Sequence, residues 1–109
     1  MESAIRLNPL HPSWYNASLG VALYSLKRYA EAEQAFKRLP TAGYWSRTRR
    51  AACYAQLGRT REAEAQVTEV LQQKPDFSIA EFFRRDVLLE REEDRELLRE
   101  GLIKAGLPP

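Results

Sequence analysis

The sequence predicts an all-α fold, an antiparallel helix-turn-helix solenoid with a C-terminal capping helix, on three observations. First, two stretches answer each other 31 residues apart. Trp14-Tyr15-Asn16-Ala17-Ser18-Leu19-Gly20-Val21-Ala22-Leu23-Tyr24 is answered by Trp45-Ser46-Arg47-Thr48-Arg49-Arg50-Ala51-Ala52-Cys53-Tyr54-Ala55, and Arg28-Tyr29-Ala30-Glu31-Ala32-Glu33 by Arg59-Thr60-Arg61-Glu62-Ala63-Glu64. Such a period marks one supersecondary unit used more than once, because so small a unit cannot bury its own apolar face. Second, apolar residues within each stretch recur at helical spacing. Third, Pro40, Gly58 and Pro75 fall where helices have to stop.

Residues 1–11 read as the tail of a truncated repeat, with Ala4, Ile5 and Leu7 stopped by Pro9, so the chain reads as a fragment of a longer protein. Repeat 1 spans residues 12–41. Its first helix is expected over Ser13 to Lys27, with one stripe of Tyr15, Leu19, Ala22, Leu23 and Leu26 and a second of Trp14, Ala17, Val21 and Tyr24. Two stripes imply more than one packing partner. Its second helix is expected over Tyr29 to Leu39, with Ala32, Ala35, Phe36 and Leu39 inward and Pro40 as the stop.

Repeat 2 spans residues 42–76. Its first helix carries Trp45, Thr48, Ala51, Ala52, Tyr54 and Ala55 and ends at Gly58. Thr60 is the expected cap of the next helix, which carries Ala63, Val67, Val70 and Leu71 before Pro75. Residues 77–109 form a partial repeat and the capping helix. Ser78-Ile79-Ala80-Glu81 has capping-box spacing, and Phe77 and Phe82 are placed as a hydrophobic staple. A short helix to Arg85 is expected there, followed by a stretch that reads equally as turn or helix. A last helix is expected over Arg91 to Ala105, with Leu97, Leu98, Gly101, Leu102 and Ala105 on one face and Lys104, Gly106 and Pro108 marking its end.

Composition narrows the function classes. The net charge of +2 is too small to argue for nucleic acid, and the local clusters Arg47, Arg49, Arg50 and Arg59, Arg61 read as solvated or paired with the many Glu residues. No run of about 18 apolar residues or export signal is present, so membrane partners are not expected. Cys53, the single cysteine, excludes an internal disulfide and a zinc set and suits a cytoplasmic setting.

The spacing of Gly20, Leu23, Tyr29, Ala32 and Phe36, and of Ala51, Tyr54, Gly58, Ala63, Val67 and Pro75, resembles tetratricopeptide repeats. The resemblance covers about Ala4 to Pro75. It implies that Ala32 and Ala63 sit where the paired helices cross, with Gly20 and Ala51 opposite them. The period is shorter than the usual length of about 34, and Lys27 stands where the family often has glycine. A narrower resemblance joins Leu7-Asn8-Pro9-Leu10-His11-Pro12-Ser13-Trp14-Tyr15 and Gly101-Leu102-Ile103-Lys104-Ala105-Gly106-Leu107-Pro108 to the C-terminal repeat region of bacterial class III adenylate or guanylate cyclases. It implies a non-catalytic fragment whose parent protein is a signalling enzyme.

The tetratricopeptide resemblance puts the first helix of each unit on a concave face. The expected partner-binding groove is Trp14, Ala17, Val21, Tyr24, Trp45, Thr48, Arg49, Ala52 and Phe82, with Ala55, Ile79 and Phe83 as neighbours. Its ligand would be an amphipathic helix or an extended peptide. The competing structural reading has Trp14 and Trp45 packing between units. Some family members clamp a peptide carboxylate with Lys, Asn and Arg; here Ala17, Val21 and Thr48 occupy those positions, so the clamp is not supported. His11 reads as a structural or surface residue, and Cys53 as a buried inert thiol. Asp94 and Glu residues 90, 92, 93 and 96 read as a helix N-terminal turn rather than a metal site. No catalytic motif, cofactor or metal is expected. The function expected is therefore protein binding or scaffolding, with self-association as a homodimer or a regulatory role in a nucleotide cyclase as the alternatives.

Overall fold

The computed structural model describes residues 13–39, 43–87 and 91–109. Among these it contains six helices and no strand: α1 (Ser13–Ser25), α2 (Tyr29–Lys37), α3 (Tyr44–Gln56), α4 (Thr60–Gln73), α5 (Ile79–Asp86) and α6 (Glu92–Ala105). The expected tail helix up to Pro9, the stop at Pro40 and His11 lie outside the described residues. α1 pairs with α2 and α3 with α4; α2 packs on α3, and α6 lies against α3 while reaching α1, α4 and α5. The radius of gyration, 13.3 Å, is that of one compact body of this length, about 13 Å.

Small residues set the helix crossings. Ala32, Ala51 and Ala52 are fully buried and Ala63 nearly so. A Cβ on Gly20 would stand 2.5 Å from the Phe36 ring, so the missing side chain lets α2 lie against the α1 backbone. The buried line on α1 is Asn16, Gly20 and Tyr24, of which only Tyr24 belongs to an expected stripe. Tyr15, Leu19 and Leu23 flank it, whereas Ala22 is exposed and Leu26 is 66% exposed, beyond the last helical turn.

Three helices end in the same way. Arg28 N donates to Leu23 O and Lys27 N to Tyr24 O; Arg59 N donates to Tyr54 O and Gly58 N to Ala55 O; Leu107 N donates to Leu102 O and Gly106 N to Ile103 O. Each is a Schellman turn, which satisfies orphan carbonyls through one left-handed residue. That residue is Gly58 at φ 77° and Gly106 at φ 98°, but Lys27 at φ 63° in the first unit. Helix starts are less uniform. Arg59 occupies the N-cap of α4, and Thr60 is the first helical residue rather than the expected cap. α2 ends at Lys37, two residues short of Leu39, in a final turn where Arg38 N donates to Ala35 O and Leu39 N to Phe36 O.

The short helix α5 follows its sequence signals. Ser78 Oγ accepts from Glu81 N at 3.1 Å, and the Phe77 and Phe82 rings lie 5.6 Å apart as a staple. The Glu81 carboxylate faces Lys74, Arg84 and Arg85 instead of returning to the cap. Glu92, Glu93 and Asp94 fill the first turn of α6, where negative charge meets the positive helix end. Among the described residues no helix is long and apolar enough to cross a membrane.

Two substitutions test these packing rules. Lys27→Gly removes left-handed strain and is expected to raise stability by about 0.5–1 kcal/mol in urea unfolding. Ala32→Leu has no room at its crossing and is expected to destabilise by about 1–3 kcal/mol, measured by thermal melt.

Candidate functional site

α1, α3, the end of α5 and the start of α6 frame a groove of about 870 Å3. α1 supplies its apolar side through Ala17, Val21 and Ala22, with Ser18 and Ser25 beside them and Leu26 just past its end. α3 supplies the floor through Trp45 and Arg49. Arg85 and Asp86 at the end of α5, with Arg91 and Asp94 at the start of α6, form the opposite, charged side. One wall is thus greasy and the other carries both signs, which suits an amphipathic segment better than a uniformly charged ligand.

The floor is rigid. Trp45 packs edge-on against Phe36 with centroids 5.8 Å apart. The Arg49 guanidinium lies 4.9 Å from the Trp45 ring centroid and 6.0 Å from that of Phe82, and the residue is 2% exposed. Aromatic faces on this cation offset part of its lost hydration. Behind it, Thr48 Oγ1 donates to Tyr44 O at 2.5 Å, and Tyr44 Oη donates to Asp86 Oδ2 at 3.2 Å. The second bond ties the floor to the charged wall. Burial first, and then the Asp86 carboxylate, raise the Tyr44 pKa, keeping its hydroxyl protonated as a donor.

Of the expected groove residues, Ala17, Val21, Trp45 and Arg49 line this groove. Tyr24, Thr48, Ala52 and Phe82 are buried instead. The Trp14 side chain lies outside the described residues. Tyr24 and Ala52 are covered by α6: Tyr24 Oη donates to Leu97 O at 2.8 Å, and a Cβ on Gly101 would stand 2.3 Å from Tyr24 Oη and 3.0 Å from Ala52 Cβ. Gln56 seals the edge of this contact, its Nε2 donating to Tyr24 Oη at 3.2 Å and to Glu100 Oε1 at 3.2 Å, while Lys104 Nζ donates to Gln56 Oε1 at 3.1 Å. The last helix therefore occupies the inner part of the expected concave face. The outer part stays open.

Sequence reasoning missed the charged wall. Arg85, Asp86, Arg91 and Asp94 flank the stretch whose shape the pattern left open, which lies outside the described residues, and the ends of α5 and α6 bring them to the groove that α1 lines. It also missed Glu33, 3% exposed, whose Oε2 accepts from Tyr54 Oη at 2.8 Å and from Arg50 Nε at 3.2 Å. The signal was present in the repeat: Glu33 and Glu64 occupy equivalent positions, yet Glu33 is buried against Tyr54 and Arg50 of α3 while Glu64 is exposed. Cys53 is fully buried, and burial, followed by nearby Glu33, pushes its thiol up to about 12, as expected of an inert cysteine.

Gly101→Ala is expected to cost about 1–3 kcal/mol by overpacking against Tyr24 and Ala52, despite the better helix propensity of alanine. Because the clash and the hydroxyl share one contact, urea unfolding of Gly101→Ala with Tyr24→Phe should give a loss smaller than the sum of the two single losses. Comparison with models of protein families, with curated proteins and with solved structures finds no match for this chain.

Proposed function

We propose that this chain is a protein-interaction module of stacked helix-turn-helix units of the tetratricopeptide type, and that it holds a partner segment in the open groove. The observation that carries this reading is the groove itself, with Ala17, Val21 and Trp45 presented on first helices and a charged wall facing them. A tetratricopeptide-like stack is supported by features that recur at the 31-residue period. They are the left-handed residues Lys27 and Gly58, the ion pairs Arg28–Glu31 and Arg59–Glu62, and the buried crossing residues Ala32 and Ala63.

The partner is a protein or peptide segment with an apolar stripe. Nucleic acid is disfavoured because the basic groove residues have acidic neighbours: Arg85 reaches Glu81 at 3.9 Å and Arg91 reaches Glu93 at 2.8 Å. The role is binding rather than catalysis. The resemblance to the repeats that follow class III cyclase domains makes a bacterial, cytoplasmic signalling protein the setting we favour, with regulation of a nucleotide cyclase as one use of the module. A second reading, self-association, is favoured by two exposed side chains, Leu26 at 66% and Ile103 at 57%. A second copy could cover either.

A displayed random-peptide library supplies the test. Enriched peptides should share an amphipathic pattern and shift the fluorescence of Trp45. Val21→Glu should weaken their binding about tenfold or more while moving Tm by no more than about 2 °C, because Val21 is only half-buried. Leu57→Glu, exposed and away from the groove, is the control. A library that yields no ligand, or a Val21→Glu protein that binds as tightly as the parent, ends the groove reading. Sedimentation over a concentration series reports on self-association.

A further inference from the structure

α5 carries Arg85 and Asp86 to the charged wall, yet it has only eight residues. A helix that short does not persist in water without outside support. The amides of its first three residues are all used. Glu81 N donates to Ser78 Oγ at 3.1 Å, Ile79 N to Pro108 O at 2.9 Å and Ala80 N to Pro109 O at 3.0 Å. The last two acceptors come from the segment that follows α6. By contrast, the N-cap residues of α2, α3, α4 and α6 make no side-chain capping bond. The segment is itself anchored, because Gly106 turns the chain at φ 98° and Leu107 is buried at 4% exposure.

We propose that residues Leu107–Pro109 act as a strap that holds α5 through its main chain and thereby sets the charged wall of the groove. With the strap engaged, the first turn of α5 is capped, and Arg85 and Asp86 stand across from Val21. With it released, two amide groups lose their acceptors, α5 frays from its N-terminus, and the wall loses its position. The consequence for ligand capture rests on the groove reading above; the strap itself does not.

Hydrogen exchange on the whole chain, on a variant lacking residues 108–109 and on Pro108→Ala tests this. The deletion removes both acceptors but leaves buried Leu107 and the end of α6; Pro108→Ala keeps both carbonyls. Amides of Ala80 to Arg85 should exchange about tenfold faster or more in the deletion variant, with α3 and α4 amides unchanged and Pro108→Ala close to the parent. Unchanged α5 exchange after deletion would overturn the strap. So would uniform acceleration through α3 and α4, which would make the segment ordinary core. Peptides from the library should also bind the deletion variant less tightly. If α5 amides accelerate while no peptide binds either form, the strap stands and the groove reading falls.

Discussion

α3 packs against α2, α4 and α6, and small residues are buried on all four of these helices. Ala51 and Ala52 on α3, Ala32 on α2, Ala63 on α4 and Gly101 on α6 are all buried. Gly20 gives the same freedom to α1 and α2. Interiors pack close to crystal density, so a single added carbon at such a point moves a whole helix. Larger apolar residues then fill the spaces that these approaches leave. Phe36, Val70, Leu98 and Leu102 are essentially fully buried around the central helix.

Close approach brings polar groups inside, and the fold answers each with a specific partner. Glu33 would be costly so near the interior without Tyr54 and Arg50. Tyr24 is buried deeply enough that its hydroxyl pKa rises, and desolvation is the largest cause. Its bond to Leu97 O uses a helix carbonyl left open beside Gly101, so one missing side chain serves both packing and hydrogen bonding. Arg49 is covered by aromatic faces on two sides. These contacts are directional where apolar packing is not, and they pin the register of α1, α2 and α6 on α3.

The position of α6 shapes any ligand that the chain accepts. By lying on Tyr24 and Ala52 it takes for itself part of the face that the first helices share. Its first turn then provides Arg91 and Asp94 to the part that remains open. The groove is therefore a composite of repeated and unrepeated sequence. Its apolar side belongs to the repeats, and its charged side comes from the residues that depart from them.

Periodicity, glycine and capping residues made most of the helices legible. Local energetics decide where helices start and stop, and Ser78, Gly58, Gly106 and the acidic turn before Arg95 act through their own neighbours in the chain. The buried small residues were legible too, because Ala32 and Ala63 repeat. A third of the groove lining coincides with the expected site: Ala17, Val21, Trp45 and Arg49 lie on predicted helix faces. The burial of Tyr24, Thr48, Ala52 and Phe82 was not readable. Helical spacing puts residues on a face but does not say what covers it. The sequence by itself therefore determined the all-helical fold, most of the helices and the small residues buried among them. Only the tertiary structure decided where α6 lies, which polar side chains became interior and which charges face α1. Those outcomes depend on contacts between residues far apart in the chain, Tyr24 with Leu97 and Tyr44 with Asp86 among them, and no local propensity encodes such pairs.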